Sequence, residues 1–492
     1  MRVRLLSRGS DLARLQTRLV EQALRTSDPQ LDIEKIVRSS LGDRDSRIEL
    51  WQSTEKGLFT SDLSGALLAD DADVAVHSWK DLPVEGFAGT VVAATLERAD
   101  PRDVLLVRAD VLAARPAVLD VLTSSPRRTF QLAESLPGLL PWPITGIEPK
   151  SVRGNIPTRL QRLAEGQGHA LVVAKAALDR LLSPASEPAT RDTIRHLLAG
   201  FHWTVLPLRE FPTAPAQGAL ALEVATARQD IRAAVARISH EATHRAVDAE
   251  RQILAGYGGG CHEAIGATVL VREYGVVTSV RGRAASGERF TRWTLDPAGP
   301  LPPPAESAAA IWPRPGERDG AVRRPLDVRL PSDDRGWWVA RAEAVPNGVQ
   351  PDPSRLVWAA GTRTWRRLAA RGVWVHGCSD GLGDGEAPAL DTLAGRTVAW
   401  HRLTHARSGA ADAFATYTVE SPLPDDLPSR THFFWTSGTL FLDALARHPE
   451  IRGAWHGFGP GHTSRVVRDT ITDGSRLSVW LDYEQWHQHM SR

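Results

Sequence analysis

A carboxylate and a cation stand side by side where a short apolar run stops. Asp73-Val74-Ala75-Val76 leads into His77-Ser78-Trp79-Lys80-Asp81-Leu82-Pro83, and the proline ends the segment. One carboxylate, Asp81, beside a wall of cations is suited to stabilising a positively charged intermediate or to moving a proton. The same residues also read as a helix N-terminus with a solvated charge pair. Thr123-Ser124-Ser125-Pro126-Arg127-Arg128 follows another apolar run and opens a helical pattern, offering an anion hydroxyls, main-chain N–H groups and two guanidinium forks. A second such turn lies in Lys150-Ser151-Val152-Arg153-Gly154-Asn155-Ile156-Pro157-Thr158-Arg159, and Arg8 adds another cation after the first strand-like run. Any one of these arginines reads equally as a solvated surface residue. Their repetition at strand ends predicts a ligand with several carboxylates or phosphates, since a planar fork pairs with either through two bonds.

Cys261 follows three glycines, Gly258 to Gly260, which permit positive φ and leave space beside the thiol. A free cysteine is commonly an inert small core residue, and a papain-like nucleophile needs more than the adjacent His262. Covalent attachment of a cofactor fits the glycine-flanked loop better. The other cysteine, Cys378, reads as a structural thiol. Two cysteines exclude a disulfide framework and a multi-cysteine zinc site.

The elements that position these residues alternate. Arg2–Leu6, Leu31–Val37, Asp73–His77 and His169–Val173 read as strands, and Asp11–Ser27, Leu58–Ala69 and Pro157–Glu165 as helices. That pattern predicts α/β layering, with binding residues at the carboxyl ends of strands. A long helical pattern over Ala233–Leu254 runs into the glycine loop, followed by strand-like Ala264–Val271 and Val276–Val280.

The chain of 492 residues has room for roughly three to four domains. Its 42% hydrophobic and 24% charged composition is that of an ordinary globular protein. A net charge of +1 gives no reason to expect nucleic acid or a membrane surface as partner. No run approaches the roughly 18 apolar residues of a membrane span, and the N-terminus has no signal-peptide pattern, so a cytoplasmic protein is expected. Only five of the 59 basic residues are lysines, which draws attention to each of them. Eleven of the 16 tryptophans lie beyond residue 300. A proline-rich stretch near 297–325 has linker composition and is expected to join two differently composed parts.

Residues 1–300 resemble the hydroxymethylbilane synthase family, the porphobilinogen deaminases, through segments in a fixed order. These are Ser7-Arg8-Gly9-Ser10, Lys56-Gly57-Leu58-Phe59, the segment Ala75–Pro83, Asp100-Pro101-Arg102-Asp103, the segment Thr123–Arg128, Arg153-Gly154-Asn155 with Thr158-Arg159, Ala216-Gln217-Gly218-Ala219, and Gly259-Gly260-Cys261. The resemblance implies a three-domain α/β fold. Two domains like those of periplasmic binding proteins, 1–102 plus 207–224 and 103–206, would be followed by a small α/β cofactor domain, 225–300. It implies a dipyrromethane cofactor held by a thioether to Cys261, on which four porphobilinogen units are joined head to tail with loss of ammonia before a tetrapyrrole is released. Asp81 matches the family's catalytic aspartate, which contacts pyrrole nitrogens and stabilises a cationic azafulvene-like intermediate. By the same match Ser78, Lys80, Thr123, Ser125, Arg127 and Arg128 would bind the cofactor, and Arg8, Ser10, Arg153 and Arg159 the substrate. Porphobilinogen and tetrapyrrole intermediates would be the partners of a monomer that needs no metal. Trp79, Ser61, Pro126 and Ala216 depart from the family's usual Met, basic, aliphatic and Gly residues. A non-catalytic bilobed protein that binds polycarboxylates is the alternative.

Residues 325–492 faintly resemble uroporphyrinogen-III synthases, through Ala360-Gly361-Thr362, Phe434-Trp435-Thr436-Ser437 and Gly459-Pro460-Gly461-His462-Thr463. That likeness implies a C-terminal α/β unit closing the linear tetrapyrrole with inversion of one ring, and Tyr417 as the possible assisting residue. A degenerate partner domain is the other reading.

Overall fold

Near-continuous apolar runs become strands covered on both faces. All residues of β8 and β10 are buried, as are the first four of β3. The computed structural model describes residues 1–38, 61–258, 264–284, 286–317, 321–383, 388–410, 412–420 and 422–492. The first ten strands are β1 (Arg2–Arg8), β2 (Asp32–Arg38), β3 (Val74–Ser78), β4 (Thr90–Ala94), β5 (Asp103–Arg108), β6 (Val118–Leu122), β7 (Gly146–Lys150), β8 (Ala170–Ala174), β9 (Phe201–Val205) and β10 (Leu220–Ala225).

They form two five-stranded sheets of one plan, β2-β1-β3-β10-β4 and β7-β6-β8-β5-β9. In each, three neighbouring strands are parallel and one strand, β10 or β5, runs antiparallel to both of its neighbours. The chain crosses between the sheets twice, from β4 to β5 and back from β9 to β10. A three-stranded sheet follows, β11 (Gly266–Arg272), β12 (Gly275–Arg283) and β13 (Arg289–Pro297), in the order β11-β12-β13.

Glu250, fully buried on the helix Glu241–Ala255, ties both crossings to β11. It accepts two bonds from the Arg98 guanidinium, at 2.6 and 3.0 Å, and one each from the Ala216 and Val269 main-chain N–H groups, both at 2.7 Å. The second crossing turns sharply here. Ala216 has φ 67° and Gly218 φ 91°, and a Cβ at Gly218 would stand 2.5 Å from the Ala99 carbonyl oxygen. Ala216 accepts a left-handed backbone that glycine adopts without strain.

The chain divides into two compact units. The first is Met1–Pro137, Ile144–Val271 and Thr278–Trp293, and the second is Gly138–Pro143, Arg272–Val277 and Thr294–Arg492. The second unit contains a six-stranded sheet from β15 (Val322–Pro325), β16 (Gly336–Val339), β17 (Val357–Ala359), β18 (Gly377–Cys378), β19 (Trp400–His405) and β20 (Ala413–Glu420), in the order β15-β20-β19-β16-β17-β18. It also contains a parallel sheet from β14 (Ile311–Trp312), β21 (His432–Trp435), β22 (Trp455–Phe458) and β23 (Leu477–Val479), in that order. Trp312, Phe433, Trp435, Phe441 and Phe458 share one of its cores.

Two expectations are corrected. The pattern over Ala233–Leu254 is two helices, Gln229–Ala236 and Glu241–Ala255. The chain breaks at His240, whose N–H donates to the Thr95 carbonyl at 2.7 Å while its ring caps the second helix at Thr243. The stretch 297–325, expected to be a linker, contributes β14 and β15 as edge strands; β14 holds no proline, and β15 ends on Pro325, an edge position where a missing N–H is tolerated. The helix expected over Leu58–Ala69 spans Ser61–Leu68, and the residues before Ser61 lie outside the described ones. Among the described residues no helix is long and apolar enough to cross a membrane.

Glu250→Gln leaves Arg98 buried opposite a neutral amide and is expected to lower stability by about 3 kcal/mol. Urea unfolding checks this. The double change with Arg98→Gln is expected to cost less than the sum of the singles.

Candidate active site

The carboxyl end of β3 turns directly into one short helical turn, Trp79–Asp81, which holds Trp79 in the core and leaves Asp81 exposed. From here a chain of polar contacts spans the two sheets. The Lys80 amine donates to the Gln217 side-chain oxygen at 3.4 Å, and the Gln217 amide donates to Asp103 Oδ1 at 2.8 Å and to the Pro101 carbonyl at 2.6 Å. Asp103, the first residue of β5, is 1% exposed and accepts from Arg127 Nη2 at 2.9 Å and Arg128 Nη2 at 2.6 Å. Both arginines stand in the first turn of the helix Pro126–Ser135, where Ser125 caps the N-terminus and Pro126 fills a position needing no N–H donor.

Arg153 and Arg159 flank the next strand-to-helix turn. Asn155 caps the helix Ile156–Ala164 by accepting from the Thr158 N–H at 3.0 Å, and Arg159 Nε donates to the Gly154 carbonyl at 2.7 Å. Gly154 has φ 101°, and a Cβ there would meet Thr158 at 2.9 Å.

The electrostatics of these groups are shared. Burial brings the Lys80 amine down to about 8, with Arg128 and Arg127 adding to the fall and Asp81 and Asp103 opposing it. Burial and the nearby Arg128 bring Arg159 down to about 10, against the pull of Asp81. For Asp103 burial acts upward, but Arg128 and Arg127 outweigh it and hold the carboxyl well below the usual range. Asp81, Lys80, Arg127, Arg128, Arg153 and Arg159 thus occupy one neighbourhood with more cations than carboxylates. Such a cluster fits a polycarboxylate, so the donor set suits a dipyrromethane bearing acidic side chains.

The hydroxyls have local partners. Ser78 Oγ accepts from Gln16 at 2.8 Å, Thr123 Oγ1 from the Ser125 N–H at 3.2 Å, and Ser10 Oγ from the Ala13 N–H at 3.3 Å. Parallel pairing of β1 with β3 brings half-buried Arg8 to the same carboxyl edge as Ser78. Cys261 lies outside the described residues, and Tyr417 belongs to the second unit. Of the other lysines, Lys150 makes a partly exposed ion pair with Asp120, while Lys175 is fully buried against Asp179 at 2.5 Å.

Sequence reasoning gave no role to Asp103, Gln217 or Glu223. Glu223, buried in β10, accepts from His77, Ser64 and Thr90 at 2.5 to 2.9 Å and anchors β3, the strand that leads into the turn with Lys80 and Asp81. The available signal was a charged residue inside an otherwise apolar strand, Leu220–Ala225.

Asp103→Asn leaves Arg127 and Arg128 without their buried counter-ion and is expected to cost about 3–5 kcal/mol. Added polycarboxylate should recover part of that loss in thermal melts, because it binds the folded state alone.

The chain is similar to known porphobilinogen deaminases. The family described as "Porphobilinogen deaminase, dipyromethane cofactor binding domain" matches residues 3–233. A probable porphobilinogen deaminase of Pyrobaculum islandicum is 34% identical over 293 residues, 59% of this chain and 90% of the relative. The porphobilinogen deaminase of Acidothermus cellulolyticus is 39% identical over 276 residues, 55% of this chain and 75% of the relative. Among solved structures, YhfZ from Shigella flexneri is 12% identical, with a TM-score of 0.25 over 53% of this chain and 98% of that one. With relatives above 30% identity matched over most of their length, the chain belongs to the porphobilinogen deaminase family and is an enzyme of the transferase type.

Proposed function

We propose that the chain is a hydroxymethylbilane synthase, joining four porphobilinogen units head to tail on a dipyrromethane carried by Cys261. The supporting observation is the gathering of Lys80, Arg127, Arg128, Arg153 and Arg159 around one exposed carboxylate, Asp81, where the chain crosses between its sheets. The domain reading, 1–102 with 207–224, 103–206, 225–300 and 325–492, belongs to this proposal.

When bound, the dipyrromethane supplies the pyrrole carbon to which the first unit is joined. Asp81 opposes the positive charge that develops on porphobilinogen as its amine leaves, and takes up pyrrole N–H hydrogen bonds. Lys80, Arg127 and Arg128, with Ser78, Thr123 and Ser125 in the same segments, hold the carboxylates of the primer. Arg8, Ser10, Arg153 and Arg159 hold those of the incoming unit. Gln217 is a positioning residue, since its amide fixes Asp103 while its oxygen accepts from Lys80. The polycarboxylate binder without catalysis has no use for the glycine-flanked thiol.

Intact-mass measurement of the purified protein should find an adduct of dipyrromethane mass that is lost in Cys261→Ser. An unmodified wild-type chain would refute the reading. Asp81→Asn should keep that adduct while turnover falls by about 100-fold or more.

For the second unit, the proposal is closure of the released tetrapyrrole with inversion of one ring, assisted by Tyr417. The favouring observation is that Tyr417, 2% exposed, pairs in register with His405 at the carboxyl end of β19. A tether raises the local concentration of a second site for a product that otherwise closes without inversion. The full chain should yield uroporphyrinogen III, and Tyr417→Phe should shift the product towards type I. Pure type I product from the full chain would make the second unit non-catalytic.

A further inference from the structure

One face of the helix Glu241–Ala255 meets the turn that carries Asp81. His244, Val247 and Arg251 are spaced by three and then four residues, so they fall on a single stripe of that helix. The His244 ring lies edge-on to Trp79, with ring centroids 5.2 Å apart and planes at 87°. Val247 shares a buried core with Trp79, Leu82, Ala216 and Ala219. Arg251 completes the stripe: its Nη1 donates to the Leu82 carbonyl at 3.2 Å and its Nη2 to the Pro83 carbonyl.

The turn needs such support. Trp79–Asp81 is one helical turn without a side-chain cap, closed by a bond from the Leu82 N–H to the Trp79 carbonyl at 3.2 Å, and a single turn is not stable by itself. Its start is tied to the return crossing, where the Trp79 N–H donates to the Ala219 carbonyl at 3.0 Å. Its end is held by Arg251, through the carbonyls of the two residues that follow Asp81. Among the described residues no hydrogen bond holds the Asp81 carboxylate, so the backbone of the turn sets where that group stands. A charged fork donating to consecutive carbonyls restrains both the place and the tilt of the peptide between them.

The same helix leads to the cysteine. It ends at Ala255, and Tyr257 then stacks on Phe290 of β13 with ring centroids 4.6 Å apart. Cys261 follows four residues further along the chain. One helix thus bears the hold on the Asp81 turn and the stem of the glycine loop.

We propose that Arg251 is a positioning residue for the joining step. Its fork fixes Leu82 and Pro83 to the helix that leads to Cys261, and so keeps Asp81 in a constant place relative to the base of the cofactor loop. The inference rests on the proposed chemistry at Asp81 and Cys261, and in it Arg251 acts through Asp81 rather than on a bound group.

The test uses the full chain in its cofactor-bearing form with porphobilinogen as substrate, rates being normalised to the adduct found by intact mass. Arg251→Gln should keep the adduct and lower kcat by about ten-fold, with KM changed by less than about two-fold, because a small misplacement of the carboxylate costs rate more than binding. In the Asp81→Asn background the same change should cost less than about two-fold, because the charge that Arg251 places is already gone. Arg251→Lys, which keeps one charged donor, should recover part of the loss. Arg245→Gln, on an exposed part of the same helix, should leave kcat unchanged. Should Arg251→Gln fail to unfold cooperatively, Arg251→Lys decides: a fall in kcat seen with Asp81 and absent with Asn at that position supports the role, and an equal fall in both backgrounds overturns it. Unchanged kcat in Arg251→Gln, an equal loss in the Asp81→Asn background, or loss of the adduct would overturn the inference while the unsubstituted chain still turns over. Neither adduct nor turnover in the unsubstituted chain would overturn the underlying reading and this inference with it.

Discussion

Everything at the first unit's site depends on a buried charge balance centred on Asp103. Its carboxylate is the meeting point of Arg127, Arg128 and, through Gln217, Lys80. Three cations cannot be held near one another under protein cover without such an anion, and one carboxylate does not satisfy them all. The remainder is what an acidic ligand would meet. Because Asp103 opens β5 and Gln217 lies on the return crossing, the balance also joins the two sheets where the chain passes between them.

That junction explains why so much of the chain serves few exposed atoms. Glu250 pins both crossings to β11, and Glu223 with His77 stiffens the strand ahead of Lys80 and Asp81. Asp81 is thus presented on a short turn whose apolar neighbour, Trp79, is buried and whose own side chain faces solvent. A rigid base beneath an exposed carboxylate is what electrostatic stabilisation of a developing cation requires, because no reorganisation is then needed as the charge appears.

The strands and capped helices were legible in the sequence. Apolar runs gave β1, β3 and β8, and Ser-Pro and Asn-x-Pro openings marked the helices that carry Arg127, Arg128 and Arg159. Which distant segments meet was not legible. Asp103 and Gln217 sit more than one hundred residues apart and bond only because of the double crossing, a property of topology rather than of local pattern. The break at His240 was hidden because its partner, the Thr95 carbonyl, comes from far along the chain. Proline-rich composition misled for β14 and β15 because β14 fits between prolines without containing one and β15 ends on Pro325 at a sheet edge, where the missing N–H is tolerated.

We propose that one cationic neighbourhood holds a growing acidic chain while Asp81 serves each joining step in turn. Mixing the cofactor-bearing protein with limiting porphobilinogen, quenching in acid and weighing the intact chain tests it most directly. A ladder of covalent species is expected, each heavier than the last by one porphobilinogen less ammonia. Product formed with no covalent species heavier than the starting protein would contradict it.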